Sequence, residues 1–197
     1  MYHMSKRIFD ILLSGLALIV LSPLFLALSV AVGLSSPGPV FFRQERVGRG
    51  KGLFTMLKFR TMRLDAPSDT PTHLLRDPYA YITKAGRFLR KTSLDELPQL
   101  WNILVGDMSI VGPRPALWNQ DDLIAERDKY GANDVRPGLT GLAQVRGRDE
   151  LPIEVKAAYD GAYCAEMSIA LDCRILWQTV ASVLAGKDVS EGGPGQR

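Results

Sequence analysis

Two adjacent carboxylates, Asp95 and Glu96, sit in the stretch Thr92-Ser93-Leu94-Asp95-Glu96-Leu97-Pro98-Gln99-Leu100, just after the bases Arg90 and Lys91 and just before an apolar run. A carboxylate can attack a phosphoryl group, and passing through an acyl phosphate is an established way to split one difficult transfer into two easier steps. Two anions that meet repel, so such a site needs arginines and a divalent cation at the phosphate oxygens. Asp95 offers an oxygen ligand suited to Mg²⁺, which uses one or two protein carboxylates and completes its shell with phosphate and water. Ser93 followed three residues later by Glu96 is a capping-box pattern. It predicts Ser93 as an N-cap, with both acids in a first helical turn whose N–H groups and dipole favour an anion. A purely structural cap satisfies the same pattern, and both readings stand at this point.

Other bases have positions that suit phosphate contact. Arg114 lies between prolines in Gly112-Pro113-Arg114-Pro115, which fixes the backbone around one guanidinium for planar, bidentate contact; surface decoration is the alternative. Between Arg43 and Arg63 there are seven bases against Glu45 alone, and Lys84 to Lys91 holds four bases and no acid. The net charge of +3 is too small by itself to argue for nucleic acid. The local excesses suit anionic head groups or phosphorylated substrates. Cys164 and Cys173 match no metal or redox spacing, so a disulfide framework is not expected.

The elements that must position these residues begin with an uncharged run over residues 11–34. As a helix it extends about 36 Å, enough for a hydrocarbon core about 30 Å thick. It exceeds a signal-peptide core of about 7–15 residues and ends in no small-x-small cleavage site. Ser22-Pro23 falls in its middle, where proline removes a helix hydrogen bond and predicts a kink. Lys6 and Arg7 precede the run and Arg43, Arg46, Arg49 and Lys51 follow it, so both flanks ask for the same side of a membrane. A kinked span and a re-entrant hairpin remain open on the residues alone. Asp10 is expected to pair with Lys6 or Arg7 one turn away.

Ser35-Ser36-Pro37-Gly38-Pro39 is expected to act as a hinge. Residues 40–44 and 53–59 predict a β-hairpin around a Gly-rich turn that lacks phosphate-loop spacing. Residues 64–78 have loop composition, and 85–91 predict a basic helical turn. Leu94, Leu97, Leu100, Trp101 and Leu104 give a helical apolar face ended by Gly106-Asp107. A polar helix is expected over 116–130 and a short strand over 142–145. Residues 153–165 and 169–184 predict two helices, the second amphipathic with Trp177 at a lipid interface or in the core.

The ordered set Lys6-Arg7-Ile8-Phe9-Asp10, Ser22-Pro23, Lys58-Phe59-Arg60-Thr61-Met62, the Asp95-Glu96 stretch, Gly106-Asp107-Met108-Ser109, Gly112-Pro113-Arg114-Pro115 and Arg136-Pro137-Gly138-Leu139-Thr140-Gly141 resembles the small monotopic phosphoglycosyl transferases of bacteria, also called bacterial sugar transferases. The resemblance covers roughly residues 6–187 and is to the family's minimal catalytic form, without the extra N-terminal membrane helices of larger members. It implies transfer of a phosphosugar from a UDP-sugar to a polyprenol phosphate, expected to be undecaprenyl phosphate, with release of UMP, as the first membrane step of glycoconjugate assembly. It implies Asp95 as the nucleophile and Mg²⁺ ligand, Glu96 as its dyad partner, and Lys58, Arg90 and Arg114 as substrate contacts. Arg136, Arg146 and Arg148 are further candidates.

The resemblance also implies Ser22 and Pro23 as the break of a re-entrant helix and a catalytic domain on the cytoplasmic face of the bacterial inner membrane. The fold class that follows is α+β, mainly α. It comprises a re-entrant membrane helix over 1–36, a compact catalytic domain over 37–187 with a small β-hairpin and amphipathic interfacial helices, and a disordered tail over 188–197. The lipid bilayer is an expected partner and nucleic acid is not, while self-association as a homo-oligomer is left open. A membrane-anchored basic adaptor, with the acidic pair as a cap only, is the competing class and predicts salt-dependent binding without turnover.

The hairpin topology makes a direct prediction. Reporter cysteines placed before Lys6 and after Leu34 should label from the same side of the membrane, and labelling from opposite sides would mean a span.

Overall fold

The structure, a computed structural model, describes residues 2–67, 77–147 and 151–185. It is mainly helical, with two small two-stranded sheets. The uncharged run becomes helices α1 (Tyr2–Val20) and α2 (Ser22–Ser35), which meet at an angle of 64°. The chemistry of the break is local. Pro23 has no N–H to offer the Ile19 carbonyl four residues back, and the Ser22 hydroxyl donates to that carbonyl instead, at 2.8 Å. The bend lets each limb cover a different part of the core. Ala17, Leu18 and Leu21 pack on Leu100, Ile103, Met108 and Ile110. Leu28 and Val32 pack on Phe59 and Leu89. Among the described residues no single helix is long and apolar enough to cross a membrane, but the bent pair together is, as a broken span or a re-entrant loop. Its outer side leaves Ile8, Leu12, Leu16, Ile19, Leu26 and Leu34 exposed.

The hinge after α2 is clamped by a side chain from the hairpin. Arg60, 3% exposed, donates through Nη1 to the Pro37 carbonyl (2.7 Å) and through Nη2 to that of Ser36 (2.6 Å). Gly38 takes φ +118°, a backbone geometry that strains any residue with a Cβ and so favours glycine there. The predicted hairpin is β1 (Phe41–Val47) paired antiparallel with β2 (Leu53–Phe59), in a register that sets Phe41 opposite Phe59 and Val47 opposite Leu53. The basic segment is α3 (Lys84–Lys91), capped by the Thr83 side chain, which accepts from the Gly86 N–H. Next comes α4 (Gln99–Val105), ended by Gly106 at φ +106° as expected.

Strand β3 (Ser109–Val111) pairs in parallel with β4 (Gly138–Thr140). Helices α5 (Asp121–Asp128), α6 (Leu142–Arg146), α7 (Ile153–Ala165) and α8 (Ile169–Leu184) complete the described chain. The last two match their predicted bounds. Trp177 is 74% exposed on α8, so it is not a core contact, and with Ile169, Val180 and Leu184 it forms an apolar stripe. A buried pair joins α5 to α7, with Arg127 Nε and Nη2 at 2.8 and 2.6 Å from Asp160 Oδ2.

Three expectations are corrected. The strand expected over 142–145 is α6, because the strand hydrogen bonds fall to Gly138–Thr140, and Gly141 and Gly147 bound a helical turn instead. The helix expected over 116–130 covers only Asp121–Asp128, because the preceding residues extend β1: the Val47 N–H donates to the Ala116 carbonyl (2.9 Å) and Arg46 bridges Leu117. Asp10 is no surface partner of Lys6 or Arg7. It is 2% exposed and accepts from Ser109 Oγ (2.8 Å) and the Ile110 N–H (3.0 Å). Lys6 pairs with Asp172 of α8 at 2.7 Å, while Arg7 donates to the Ile103 and Leu104 carbonyls at 2.6 and 2.9 Å. The three side chains thus fasten α1 to α8, α4 and β3. The tail from residue 186 on and loop residues 68–76 lie outside the described residues.

Helix α4 is joined to β2 by one amide. Asn102, 2% exposed, accepts from the Leu57 N–H (3.0 Å) and donates to the Thr55 carbonyl (2.8 Å), taking the place of a neighbouring strand. Asn102→Ala leaves both backbone groups unpaired. At a cost of roughly 1–3 kcal/mol for each of the two orphaned groups, the fold should lose about 2–6 kcal/mol of stability. A lowered midpoint of thermal or denaturant unfolding in detergent checks this.

Candidate active site

The acidic pair does not open a helix in the predicted way. Helix α3 ends at Thr92, and Ser93 then takes left-handed backbone angles (φ 54°, ψ 16°), with its N–H bonded to the Arg90 carbonyl at 3.1 Å. Left-handed geometry just past a helix end is a C-terminal reversal, not an N-cap. Ser93 makes no side-chain cap bond. Leu94–Glu96 form a single 3₁₀ turn, and α4 starts only after Pro98. The capping-box expectation is therefore overturned, along with the helix-dipole anion site built on it. The sharp reversal turns Asp95 inward, 9% exposed, and places the 94–96 turn against β2 and α3.

Glu96 does not reach back to Ser93, because stronger partners hold it. Its Oε1 accepts from Lys58 Nζ at 2.8 Å and from Arg114 Nη2 at 2.9 Å. Burial alone would raise the Glu96 pKa, but the Arg114 and Lys58 charges and their hydrogen bonds outweigh it and hold the carboxyl well below the usual carboxylate range. Glu96 is thus an ionised counter-charge with two cations on one oxygen. Its contribution to stability is complete above the ordinary carboxylate pKa and is lost only as pH falls through the depressed one.

Each cation is positioned by its own stretch of backbone. Lys58 stands on β2, opposite Phe42 and one residue from the Asn102 bond. Arg114 hangs from a turn held on two sides: the Gly112 N–H donates to the Thr140 carbonyl (2.9 Å), the Gly138 N–H to that of Pro113 (2.8 Å), and Arg46 Nη1 to that of Pro115 (3.0 Å). A Cβ on Gly138 would sit 2.1 Å from the Gly112 nitrogen, so the two glycines permit the close approach that fixes the turn. Arg90, on the last turn of α3, donates from Nε to Thr61 Oγ1 at 2.9 Å. Thr61 in turn accepts from the Thr83 N–H, and a Cβ on Gly86 would lie 2.0 Å from its carbonyl oxygen.

Asp95, Glu96, Lys58 and Arg114 are therefore brought together, with Arg90 on the adjoining helix. Arg136 is placed elsewhere. Its Nε donates to the Gly106 carbonyl (2.9 Å) at the far end of α4, a helix about 10 Å long at 1.5 Å per residue. Arg146 is exposed at the end of α6, and Arg148 lies outside the described residues. Ser22 and Pro23 stand at the helix break, as expected.

Sequence reasoning missed Thr61 as the partner of Arg90, Arg60 as the clamp of the hinge, and Asn102 as the link to β2. Asn102 carried a signal as a lone amide inside the apolar run Leu100-Trp101-Asn102-Ile103-Leu104, and Arg60 and Thr61 carried one only as members of the Lys58-Phe59-Arg60-Thr61-Met62 motif. Among the described residues no group of three or more His, Cys, Asp or Glu side chains could cage a metal. A hard cation at this site would draw on the single carboxylate of Asp95 and on oxygens from outside the chain, since Glu96 is already neutralised by two bases.

The site thus sets a carboxylate pair beside two fixed bases in a chain that also carries a bent apolar helix pair. The UDP-glucose:undecaprenyl-phosphate glucose-1-phosphate transferase of Xanthomonas campestris pv. campestris is 42% identical over 193 residues, covering 94% of this chain and 40% of that protein. The protein of the same name from Caulobacter vibrioides is 43% identical, covering 91% of this chain and 69% of its own length. The exopolysaccharide production protein ExoY of Sinorhizobium fredii is 39% identical, with 91% and 85% covered. The chain thus spans well under half of the Xanthomonas relative. A sequence model described as bacterial sugar transferase matches residues 1–186, nearly the whole length, and with these relatives it places the chain in the bacterial sugar transferase family.

Proposed function

We propose that the protein transfers a phosphosugar from a UDP-sugar to a polyprenol phosphate, releasing UMP through a covalent intermediate on Asp95. The observation that carries this reading is the convergence of Lys58 and Arg114 on Glu96, next to the inward-facing Asp95. Family membership and the names of the relatives support a glucose-1-phosphate type of transfer to undecaprenyl phosphate.

In the first half-reaction an Asp95 carboxylate oxygen attacks the sugar-bearing phosphorus. The new bond forms as the bond from that phosphorus to the bridging oxygen breaks, and UMP leaves with that oxygen. In the second, an oxygen of the polyprenol phosphate attacks the same phosphorus, the acyl–phosphate bond breaks, and Asp95 is regenerated as a carboxylate. Mg²⁺, bound through Asp95, would supply Lewis-acid neutralisation of the phosphate oxygens. The protein's own contribution is electrostatic: Lys58 and Arg114 hold positive charge where negative charge gathers, and Arg90 adds a third base from α3. Arg114, 33% exposed in its side chain, is the more accessible of the two Glu96 partners.

Glu96 acts here as a positioning residue rather than a proton acceptor. A carboxylate held below its usual range is a weak base, and the acceptor phosphomonoester, with a second pKa of about 6, is already largely ionised at neutral pH. The α1–α2 pair is taken to enter and leave the bilayer on one side, which brings the acceptor phosphate to the domain. Its exposed apolar surface supports contact with lipid, and the bases on both flanks of the run support the one-sided placement.

Two outcomes test this reading. Asp95→Asn should abolish UMP release, and wild-type protein given donor alone should gain the mass of one phosphosugar on the peptide that holds Asp95. Full turnover by the variant would overturn the covalent route. Glu96→Gln should lower kcat by about 100-fold, as for loss of one preorganised electrostatic contact, while leaving the acidic limb of the pH–rate profile in place. A shifted limb would make Glu96 the titrating base.

A further inference from the structure

Of the seven bases between Arg43 and Arg63, Arg43, Arg49, Lys51 and Arg63 are exposed, Lys58 joins the acidic site and Arg60 clamps the hinge. The seventh, Arg46, is half-buried on β1. On the edge of β1 away from β2, residues 115–117 run alongside as a short antiparallel extension. There the Val47 N–H donates to the Ala116 carbonyl (2.9 Å), and Arg46 bridges Leu117.

Prolines limit what that segment can offer. Pro113 and Pro115 have no N–H, so the stretch around Arg114 joins its neighbours through carbonyl oxygens, and the donors must come from outside. They come from both sides. The Pro113 carbonyl accepts from the Gly138 N–H (2.8 Å), which ties the turn to β4. The Pro115 carbonyl accepts from Arg46 Nη1 (3.0 Å), which ties it to β1. Arg114 hangs between the two ties, with Nη2 at 2.9 Å from Glu96 Oε1.

Arg46 is itself aimed by a neighbour. Gln44 stands two residues earlier on the same face of β1, and its amide oxygen accepts from Arg46 Nε (3.0 Å) and Nη2 (2.6 Å). Two bonds along one edge fix the plane of the guanidinium and direct Nη1 at Pro115. The bond it makes there is charge-assisted, and so stronger than the neutral backbone bond one residue on.

We infer that Arg46 is a positioning residue for the transfer: oriented by Gln44, it holds the Pro115 carbonyl and thereby sets where the Arg114 guanidinium stands beside Glu96 and Asp95. This rests on the proposed role of Arg114 in the transfer, and it adds a residue that acts through Arg114.

UMP release from UDP-glucose and undecaprenyl phosphate, with Mg²⁺ present and the full-length protein in detergent, tests it. Arg46→Gln should lower kcat by about tenfold, within the roughly hundredfold that a displacement of about 1 Å can cost, while the KM for the donor stays close to that of the wild type. Arg46→Lys, which keeps a charged donor for the Pro115 carbonyl, should recover part of the loss. Gln44→Leu leaves Arg46 and the Val47 bond in place; it should lower kcat by a smaller factor, and it gives the readout if Arg46→Gln fails to fold. In an Arg114→Gln background, Arg46→Gln should cost nothing further, because both substitutions break the same chain of contacts. Losses that multiply independently would overturn the positioning role, as would a wild-type kcat in both Arg46→Gln and Gln44→Leu. Full turnover by Arg114→Gln alone would instead overturn the role of Arg114 on which the inference rests.

Discussion

The acidic site depends on a seven-residue helix that is tied in the middle and at its C-terminal end. Helix α4 is too short to be stable alone, since isolated helices below about 12 residues are marginal even in favourable sequences. Its support is external. Asn102 bonds it to the edge of β2, and Arg7 occupies the Ile103 and Leu104 carbonyls that its last turn leaves unpaired. Gly106 turns the chain away in left-handed geometry, with its carbonyl taken by Arg136. With the far end and the middle fixed, the preceding turn has little freedom, and Asp95 and Glu96 are held against Lys58. A loosened Asn102 bond would move β2 and the acidic turn relative to one another, because Lys58 follows Leu57 directly in the chain.

The apolar helix pair enters the same scheme. An unbroken helix could cover the cluster around Ile103 and Ile110 or the one around Phe59 and Leu89, but not both. The 64° bend allows it to cover both, and the second cluster also includes Leu94 and Leu97, which flank the acidic pair. The break is therefore part of the site's foundation as well as a feature of the apolar segment. Arg60 extends the connection by fixing the hinge that follows α2 to the end of the hairpin, two residues beyond Lys58. Covering the core and shaping the bent apolar pair are tasks of the same residues.

The elements most legible in the sequence are those governed by local chemistry. Pro23 in an apolar run, glycines between two β-rich segments, and the helical periodicity of residues 153–165 and 169–184 led to the observed break, hairpin and α7–α8 pair. Arg114 was legible as a fixed guanidinium because the prolines on either side of it restrict the chain directly. The misreadings share another origin. Ser93 and Glu96 obey a local capping rule, yet Lys58 and Arg114, distant in sequence, compete successfully for the Glu96 carboxylate. Asp10 has bases one turn away, but two donors from β3 claim it. The 142–145 run is apolar enough for either a strand or a helix, and only the pairing of Gly138–Thr140 with β3 decides. Local rules fail where a distant partner offers a buried polar group a better bond.

The Glu96 cluster shows how an ionised carboxylate can stand beside the Asp95 carboxylate despite the repulsion between them. Two cations that share one oxygen at 2.8 and 2.9 Å can be no more than about 6 Å apart, and at an effective dielectric of about 20 their mutual repulsion is roughly 3 kcal/mol. Without Glu96 that repulsion would push the flexible Lys58 side chain towards solvent. Arg114 would move less, since its backbone is fixed by β4 and by Arg46. Glu96 keeps both cations in place while their combined charge still exceeds its own by one unit. The surplus faces a neighbouring carboxylate and, on the proposed reading, a substrate phosphate. Preorganisation here amounts to holding a pair of like charges with one fewer opposite charge than would neutralise them, so that the remaining attraction is available where the reaction places its anions.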